Sequence, residues 1–292
     1  MKGTERSESL RGLERIVRIL EAIATRPRTM RQLADDLSIN WTTTHRSVKS
    51  LERQQFLVRD HSRGVYSIGP RAFFIGGAYL ESLPIVRIAR SHCQRAAKRM
   101  RATAQLAQRH HDRSVVLISF DYQGEDFAPR TTTGFHYPLH CGAKGRVLLA
   151  YSPPEVIEEY LRRDLEALTP HTMTNNKQLR RELEKIRSQG YSACYRDIQL
   201  TSASVAAPVF DASGSILAAA TLIGAFGQMK ERSNEFAKVV VGLAHGISTA
   251  IGWRHTDFSL PPPAFSSSRK LTKNSAKQAS KASHFTAIAD RH

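Results

Sequence analysis

The sequence predicts an α+β protein in two folded parts, and three observations lead to this prediction. Apolar residues recur every three or four positions across residues 10–57, which is the period of helices that bury one face. Two short β-prone runs on either side of Gly64 then indicate a hairpin. Beyond residue 103, β-prone runs alternate with helical ones, which favours an antiparallel sheet with helices packed on its faces.

Three helices are predicted before the hairpin. The first carries an apolar stripe from Leu13 to Ile23 and ends before Pro27. A second, short helix follows in residues 30–37. Asn40 is a favourable N-cap for the third, because its side chain can accept from the free backbone N–H groups of a first turn. Three helices followed by a hairpin predict a winged helix-turn-helix.

The third helix is predicted to present a hydroxyl-rich and basic surface. When it buries Val48 and Leu51, its polar side chains face outward, where they suit phosphate anchoring and base-edge contacts in the major groove. The hairpin adds an arginine at its tip, within reach of a phosphate or the minor groove. Similar helix pairs occur in bundles that do not touch DNA, but the hairpin and the positive charge favour DNA. The candidate DNA-binding residues are Thr42, Thr43, Thr44, His45, Arg46, Lys49 and Arg63.

Composition sets the outer limits. The 292 residues suffice for two domains with separate cores. The formal net charge of +17 favours polyanionic partners, but the basic excess is spread along the chain and does not locate a DNA surface. Three widely separated cysteines argue for a reducing compartment. The polar first nine residues do not resemble a signal peptide, and the longest apolar run, 216–226, is about half a bilayer span. We therefore expect a cytoplasmic protein without a membrane partner.

Five segments are predicted along the chain. They are a disordered N-terminus (1–9), the winged helix-turn-helix (10–69), a linker helix (70–83), an α+β domain (84–254) and a disordered basic tail (255–292). Strands of the α+β domain are predicted in residues 103–108, 114–120, 126–133, 191–195, 202–210 and 215–224. Its helices are predicted in residues 139–150, 175–189 and 229–253, with two more that begin at Pro84 and Pro153.

Five stretches of the chain, in this order and spacing, resemble the IclR-type bacterial transcriptional regulators, and the resemblance covers about residues 10–254. The stretches are 10–20, 33–51, 66–70, 139–150 and 190–191 followed by 205–209. The resemblance implies a winged-helix DNA-binding domain, a linker helix and a GAF-like α/β effector-binding domain. It also implies homodimers, often paired into tetramers, on roughly palindromic operators of double-stranded DNA, in agreement with two recognition helices that need two half-sites.

The same resemblance implies an effector pocket between the sheet and the loop before the small-residue helix. Carried over by position, its lining is Leu139, His140, Gly142, Ala143, Cys194, Tyr195, Arg196, Ser204 and Thr221. Backbone N–H groups after Cys141 can hold a carboxylate, Ser204 and Thr221 supply hydroxyls, and Arg196 supplies a charge. The expected effector is a small organic acid, with an aromatic acid favoured by Tyr195 and Arg196.

The sequence departs from the family pattern at several positions. Many members have an acidic residue after the Gly-Tyr pair, where this chain has Cys194, Tyr195 and Arg196. Thr201 and Ser204 stand where many members have a glycine and then a cysteine. In the DNA-binding motif, Ser38 stands in the turn where glycine is usual. These departures leave the identity of the effector open.

Other chemistries are less favoured. His136, His140 and Cys141 have a spacing that Zn²⁺ tolerates, but no second ligand pair stands near them in sequence. Residues 142–145 lack the full pattern of a phosphate-binding loop, and no nucleophile elbow indicates an enzyme. Cys194 is interpreted as a pocket residue rather than a redox sensor. We predict no cofactor and no metal, and a general nucleoid or RNA binder remains the alternative function.

Overall fold

The computed structural model of the chain describes residues 2–122 and 133–254, with side chains from residue 12 onward. The chain divides into two compact units, residues 1–87 and 88–292. The predicted basic tail and most of the predicted strand 126–133 lie outside the described residues.

The first unit is a winged helix-turn-helix followed by one more helix, and its elements confirm the prediction. They are α1 (Lys2–Thr25), β1 (Arg28–Thr29), α2 (Met30–Leu37), α3 (Trp41–Arg53), β2 (Leu57–Asp60), β3 (Val65–Ile68) and α4 (Pro70–Glu81). The three strands form an antiparallel sheet in the order β1-β3-β2. Two elements differ from the prediction. Helix α1 begins at Lys2, where the sequence predicts disorder. Strand β1 was not predicted, because a strand of two residues shows no alternation of apolar and polar side chains.

Local capping explains how the helices of this unit begin and end. Thr29 and Gln32 form a reciprocal capping box at the start of α2. Ser38 ends α2 with a φ of 52°, the left-handed conformation that glycine adopts most easily. The side chain of Asn40 accepts from the Thr43 N–H at 2.8 Å and so starts α3, as predicted. Ile19, Leu33 and Val48 join the three helices in one buried core.

The second unit is built on a six-stranded antiparallel sheet. Its elements are α5 (Pro84–Met100), β4 (Thr103–His110), β5 (Arg113–Phe120), β6 (His136–Pro138), α6 (Gly142–Ala150), α7 (Pro154–Tyr160), α8 (Asn176–Gln189), β7 (Ser192–Tyr195), β8 (Ser202–Phe210), β9 (Ile216–Ala225), α9 (Phe226–Glu231) and α10 (Ser233–Ala250). The strand order is β6-β5-β4-β9-β8-β7. The predicted α+β class is confirmed. The single predicted helix 229–253 is instead two helices that break at Arg232, and the division between the units falls inside α5.

Strand register places two polar rows on one face of this sheet. Cys194 pairs with Ser204, Ser204 with Ile223, and Ile223 with Thr103. In the adjacent row, Thr221 lies directly opposite Gln105. Residues that pair directly across antiparallel strands point to the same side of the sheet. All nine residues of α6 are buried, and their contacts with Gln105 and Ser204 place this helix over the two rows.

Among the described residues, no single helix combines the length and the apolar composition needed to cross a membrane. One pair of helices, α4 with α5, meets these two criteria jointly and is bent by 91° at the break between them.

Candidate functional site

The exposed side of α3 begins at the first turn of the helix. Thr42, His45 and Arg46 are exposed, as is Trp41, whose side chain is 55% exposed. Thr43 is partly exposed, and its N–H is occupied by the N-cap of the helix. These residues form a continuous polar surface because positions three and four apart lie on one side of a helix.

Two other predicted DNA contacts on α3 are already engaged within the protein. Thr44 is fully buried, and its hydroxyl donates to the Asn40 carbonyl at 3.1 Å, so it is not available to a base. This corrects its prediction as a surface residue. Lys49 donates to the Glu52 carboxylate at 2.8 Å, and this hydrogen bond raises the pKa of the lysine. Its charge is therefore partly compensated by Glu52 before any phosphate approaches.

The wing has an ordered tip. The Asp60 carboxylate accepts from the Ser62 hydroxyl at 2.6 Å, from the Ser62 N–H at 2.9 Å and from the Arg63 N–H at 3.2 Å. These hydrogen bonds, the one from the hydroxyl first, lower the pKa of Asp60 despite its exposure. Arg63 is exposed at the turn they hold. The Asp60-x-Ser62 pattern is a local signal for such a turn that sequence analysis left unused.

A small cavity of about 30 Å³ lies under the N-terminus of α6. Among the described residues, its lining includes five of the nine predicted effector residues, namely Gly142, Ala143, Cys194, Ser204 and Thr221. The lining is completed by Lys144, Asp197, Ile198, Gln199, Ser202, Ala203 and Ile223. Its floor contains four residues of the two rows, which is why β7, β8 and β9 all contribute to it.

A carboxylate of the chain itself occupies the N-terminus of α6. Asp197 accepts from the Gly142 N–H at 2.5 Å through one oxygen and from Arg146 at 2.7 Å through the other. The Arg146 and Asp197 side chains are only 6% and 4% exposed, so this is a buried ion pair. The next N–H group, that of Ala143, donates to the Ser204 hydroxyl at 3.3 Å. The helix end that was predicted to hold an effector carboxylate is therefore already filled.

Lys144 is the other charged residue of the cavity, and sequence analysis did not select it. Its ammonium group donates to the Gln105 side-chain carbonyl at 3.0 Å and lies 5.5 Å from the centre of the Tyr137 ring. Burial lowers the pKa of Lys144 to about 8. No local pattern marks this lysine as buried, because the same stretch, 139–150, also contains His140 and Arg146.

Four predicted effector residues do not line this cavity. Leu139 is part of the core. The ring nitrogens of His140 lie 2.9 Å from the Tyr160 hydroxyl and 2.8 Å from the Glu166 carbonyl oxygen, and burial lowers the pKa of the imidazole. Tyr195 is 38% exposed. The Arg196 guanidinium lies on the Phe226 ring, 4.0 Å from its centre. The geometry therefore corrects the prediction that Arg196 supplies the charge within this cavity.

Comparison with known proteins identifies the family. The model of the IclR helix-turn-helix domain matches residues 12–61, and that of the bacterial transcriptional regulator IclR C-terminal domain matches residues 77–249. The chain belongs to the IclR family of bacterial transcriptional regulators. Like the other members, it is a transcriptional regulator with a helix-turn-helix and an effector-binding domain rather than an enzyme.

Three relatives within the IclR family give the scale of the similarity. The DNA-binding transcriptional repressor YiaJ of Escherichia coli is 23% identical over 259 residues, which cover 87% of this chain and 92% of that protein. An IclR regulator from Alicyclobacillus acidocaldarius has a TM-score of 0.72 at 25% identity, over 82% of this chain and 98% of its own. An IclR homologue from Microbacterium hydrocarbonoxydans, crystallised with 4-hydroxybenzoate, has a TM-score of 0.70 at the same identity and coverage.

The three cysteines of this IclR-family chain are free and buried. Burial raises the pKa of the Cys93 and Cys141 thiols to about 12 and that of Cys194 to about 11, so all three are neutral at physiological pH. Within residues 2–122 and 133–254, no three His, Cys, Asp or Glu side chains are grouped so that they could hold a metal ion.

Proposed function

We propose that this regulator reads a palindromic operator as a dimer or a dimer of dimers, and that a small organic acid in the α6 cavity changes its affinity for DNA. The observation that carries the proposal is the cavity under α6, largely apolar with a few polar groups, in the second unit of a chain whose first unit exposes Thr42, His45 and Arg46 on α3. Ser204 and Thr221 give the cavity hydroxyl groups, and Ile198 and Ile223 give it apolar walls.

An organic acid is favoured over other ligand classes. The Microbacterium homologue was crystallised with 4-hydroxybenzoate, a carboxylic acid. In this chain the cavity contains Lys144, whose positive charge complements a carboxylate. An aromatic acid requires movement of the lining, because a cavity of about 30 Å³ is much smaller than the roughly 300–1,000 Å³ of ordinary ligand pockets. Movement of the lining on ligand binding could shift the population between two dimer arrangements, which is how we propose that the acid changes DNA affinity.

The linker helix α4 supports self-association. Phe73 and Phe74 are 84% and 75% exposed, and Ile75 and Tyr79 are 52% and 50% exposed. Four large apolar side chains are thus exposed on one twelve-residue helix, more apolar area than a monomer needs to leave in water, and a second copy of the chain can cover part of it. A dimer would also supply two recognition helices for the two halves of a palindrome. We further propose that the protein acts on the bacterial chromosome in the cytoplasm, where its three free cysteines remain reduced.

Selection of duplexes from a random DNA library with the full-length protein tests this function. We expect a palindromic consensus, bound more tightly than a scrambled duplex by at least about a thousandfold at one fixed salt concentration. Addition of an organic acid should then change the affinity for the selected duplex. Binding without sequence preference and with a steep salt dependence would instead support a general nucleic-acid binder.

A further inference from the structure

We propose that Lys144 and Thr221 together bind the carboxylate of the effector, and that the cavity therefore selects acids with a single negative charge. This inference rests on the proposed function, because it takes the α6 cavity as the effector site. The inference adds two things to that function: the two side chains that bind the acid, and the single negative charge of the acid.

The first two N–H groups of α6 are already engaged by side chains of the protein, which disfavours the helix N-terminus as the anion site. The Gly142 N–H donates to Asp197, and the Ala143 N–H donates to Ser204. A second carboxylate at this point would meet Asp197 at close range and would have to displace it from Arg146. Because removal of one partner leaves the other charge buried and unpaired, that displacement is costly.

Lys144 offers the cation that remains. Its side chain is buried, and the ion pairs within the described residues include none at this lysine. Its contacts are a neutral carbonyl, that of Gln105, and the face of the Tyr137 ring. A buried ammonium group held by neutral partners pays a desolvation cost that an anionic ligand would offset.

Thr221 offers a second donor close to this lysine. Its hydroxyl is buried and has no hydrogen-bond partner among the residues the structure describes, although it lines the cavity. Thr221 lies directly opposite Gln105 across β4 and β9, so its side chain shares a face of the sheet with the one that holds Lys144. A carboxylate placed there would accept one hydrogen bond from the ammonium group and one from the hydroxyl.

The charges around the cavity set the charge of the ligand. Arg146 and Asp197 compensate each other. Burial keeps the neighbouring Cys141 and Cys194 thiols neutral. The net charge of this group of side chains is therefore that of protonated Lys144. One carboxylate neutralises it, whereas a dicarboxylate would bring a second negative charge against Asp197 or the apolar walls.

The test measures binding of matched probes to the full-length protein by calorimetry. The probes are propionate and 4-hydroxybenzoate, their neutral amides propionamide and 4-hydroxybenzamide, and the dicarboxylate malonate. We expect at least one monocarboxylate to bind, with its amide weaker by about tenfold or more and malonate weaker than propionate. Lys144→Met should weaken acid binding by about tenfold or more and amide binding by a much smaller factor. Thr221→Val should weaken acid binding by less than Lys144→Met does.

Lys185→Met is the matched control, because Lys185 is an exposed lysine on α8. It should bind all probes like the wild type. Circular dichroism establishes that each variant is folded, and removal of a buried charge in Lys144→Met favours that outcome.

Three results would overturn the inference: equal binding of acids and amides, acid binding that survives Lys144→Met unchanged, or no binding of either monocarboxylate at millimolar concentration. The proposed function fails differently, namely when no organic compound of any charge alters the affinity for the selected operator. If an acid changes the affinity for the operator but binds Lys144→Met as tightly as the wild type, the proposed function holds and this inference is wrong.

Discussion

Arg46 is an exposed cation near the start of α3, and the ion pairs among the described residues include none at this arginine. Lys49, one turn later, is paired with Glu52. We predict that Arg46→Ala weakens binding to the selected operator by about 10- to 100-fold, since one good contact to a base edge contributes about 1–3 kcal/mol. Binding to a scrambled duplex should fall much less. Fluorescence anisotropy at fixed salt measures both affinities.

Arg181→Ala is the control for this substitution, because it removes an equally exposed arginine on α8 in the other unit. It should leave both affinities unchanged. Equal losses on the operator and the scrambled duplex for Arg46→Ala would assign Arg46 to phosphate contact and contradict a role in base reading.

Thr44 shows what residue-level reasoning from the sequence could have achieved. It lies four residues before Val48 and seven before Leu51, so the helical period already places it on the buried side. It was predicted to be exposed because it follows Thr42 and Thr43 in a run of three threonines. By contrast, no local pattern distinguishes Lys144 as a buried cation, because its burial depends on β4 and β9 packing beneath α6.

The buried charge of Lys144 predicts a pH dependence of stability. Its pKa is about 8 in the folded protein and has its ordinary value of 10.5 in the unfolded chain. Between these values the unfolded chain binds more protons, so this lysine makes the folded state more stable as pH rises. The cost of burying the cation is full below pH 8 and disappears near pH 10.5, a change of about 3 kcal/mol at most.

Urea unfolding of the wild type and of Lys144→Met across this pH range tests the sign. Comparison with the variant is needed because other groups titrate there, including buried thiols whose raised pKa values act in the opposite direction. The advantage of the variant over the wild type should shrink as pH rises from 8 to 10.5. An advantage that stays constant or grows would contradict a buried, destabilised cation.

At the scale of elements, helices were more predictable than their long-range contacts. The bounds of α2, α3 and α8 follow from caps and apolar spacing in the local sequence. The contact of Asp197 with α6 cannot be predicted from the local sequence. Asp197 lies in the irregular segment between β7 and β8 and accepts from the first residue of a helix that is 55 residues away in sequence. The two polar rows depend in the same way on strand register, which is fixed only when distant strands pair.

The ion pair between Arg146 and Asp197 ties that irregular segment to α6. We predict that Asp197→Asn lowers the free energy of unfolding by about 3–5 kcal/mol, because it leaves the buried guanidinium without a counter-charge. Urea unfolding followed by circular dichroism measures the loss.

The pair Arg180–Glu158 provides the matched comparison, since both side chains are about half exposed. Glu158→Gln should cost about 0–1 kcal/mol, as exposed pairs do. If Asp197→Asn lowered the free energy of unfolding by no more than Glu158→Gln, the buried pair would not stabilise the contact between this segment and α6.

At the scale of the whole molecule, the exposed apolar side chains of α4 predict self-association. Phe73→Glu combined with Phe74→Glu should shift the protein from dimer toward monomer, because two charges replace apolar area at the proposed interface. Sedimentation velocity over a range of concentrations gives the oligomeric state. Phe135→Glu, on an exposed loop residue of the second unit, is the control and should not dissociate the dimer. A double variant that remains dimeric would place the interface elsewhere.

The central claim is that DNA binding and acid binding are coupled in one molecule, and reciprocity of that coupling tests it most directly. The affinity for the selected operator is measured with and without the acid, and the affinity for the acid with and without the operator. We predict that both affinities change by the same factor, about 5- to 150-fold, as thermodynamic linkage requires. An acid that binds with the same affinity whether or not the operator is present would contradict the claim.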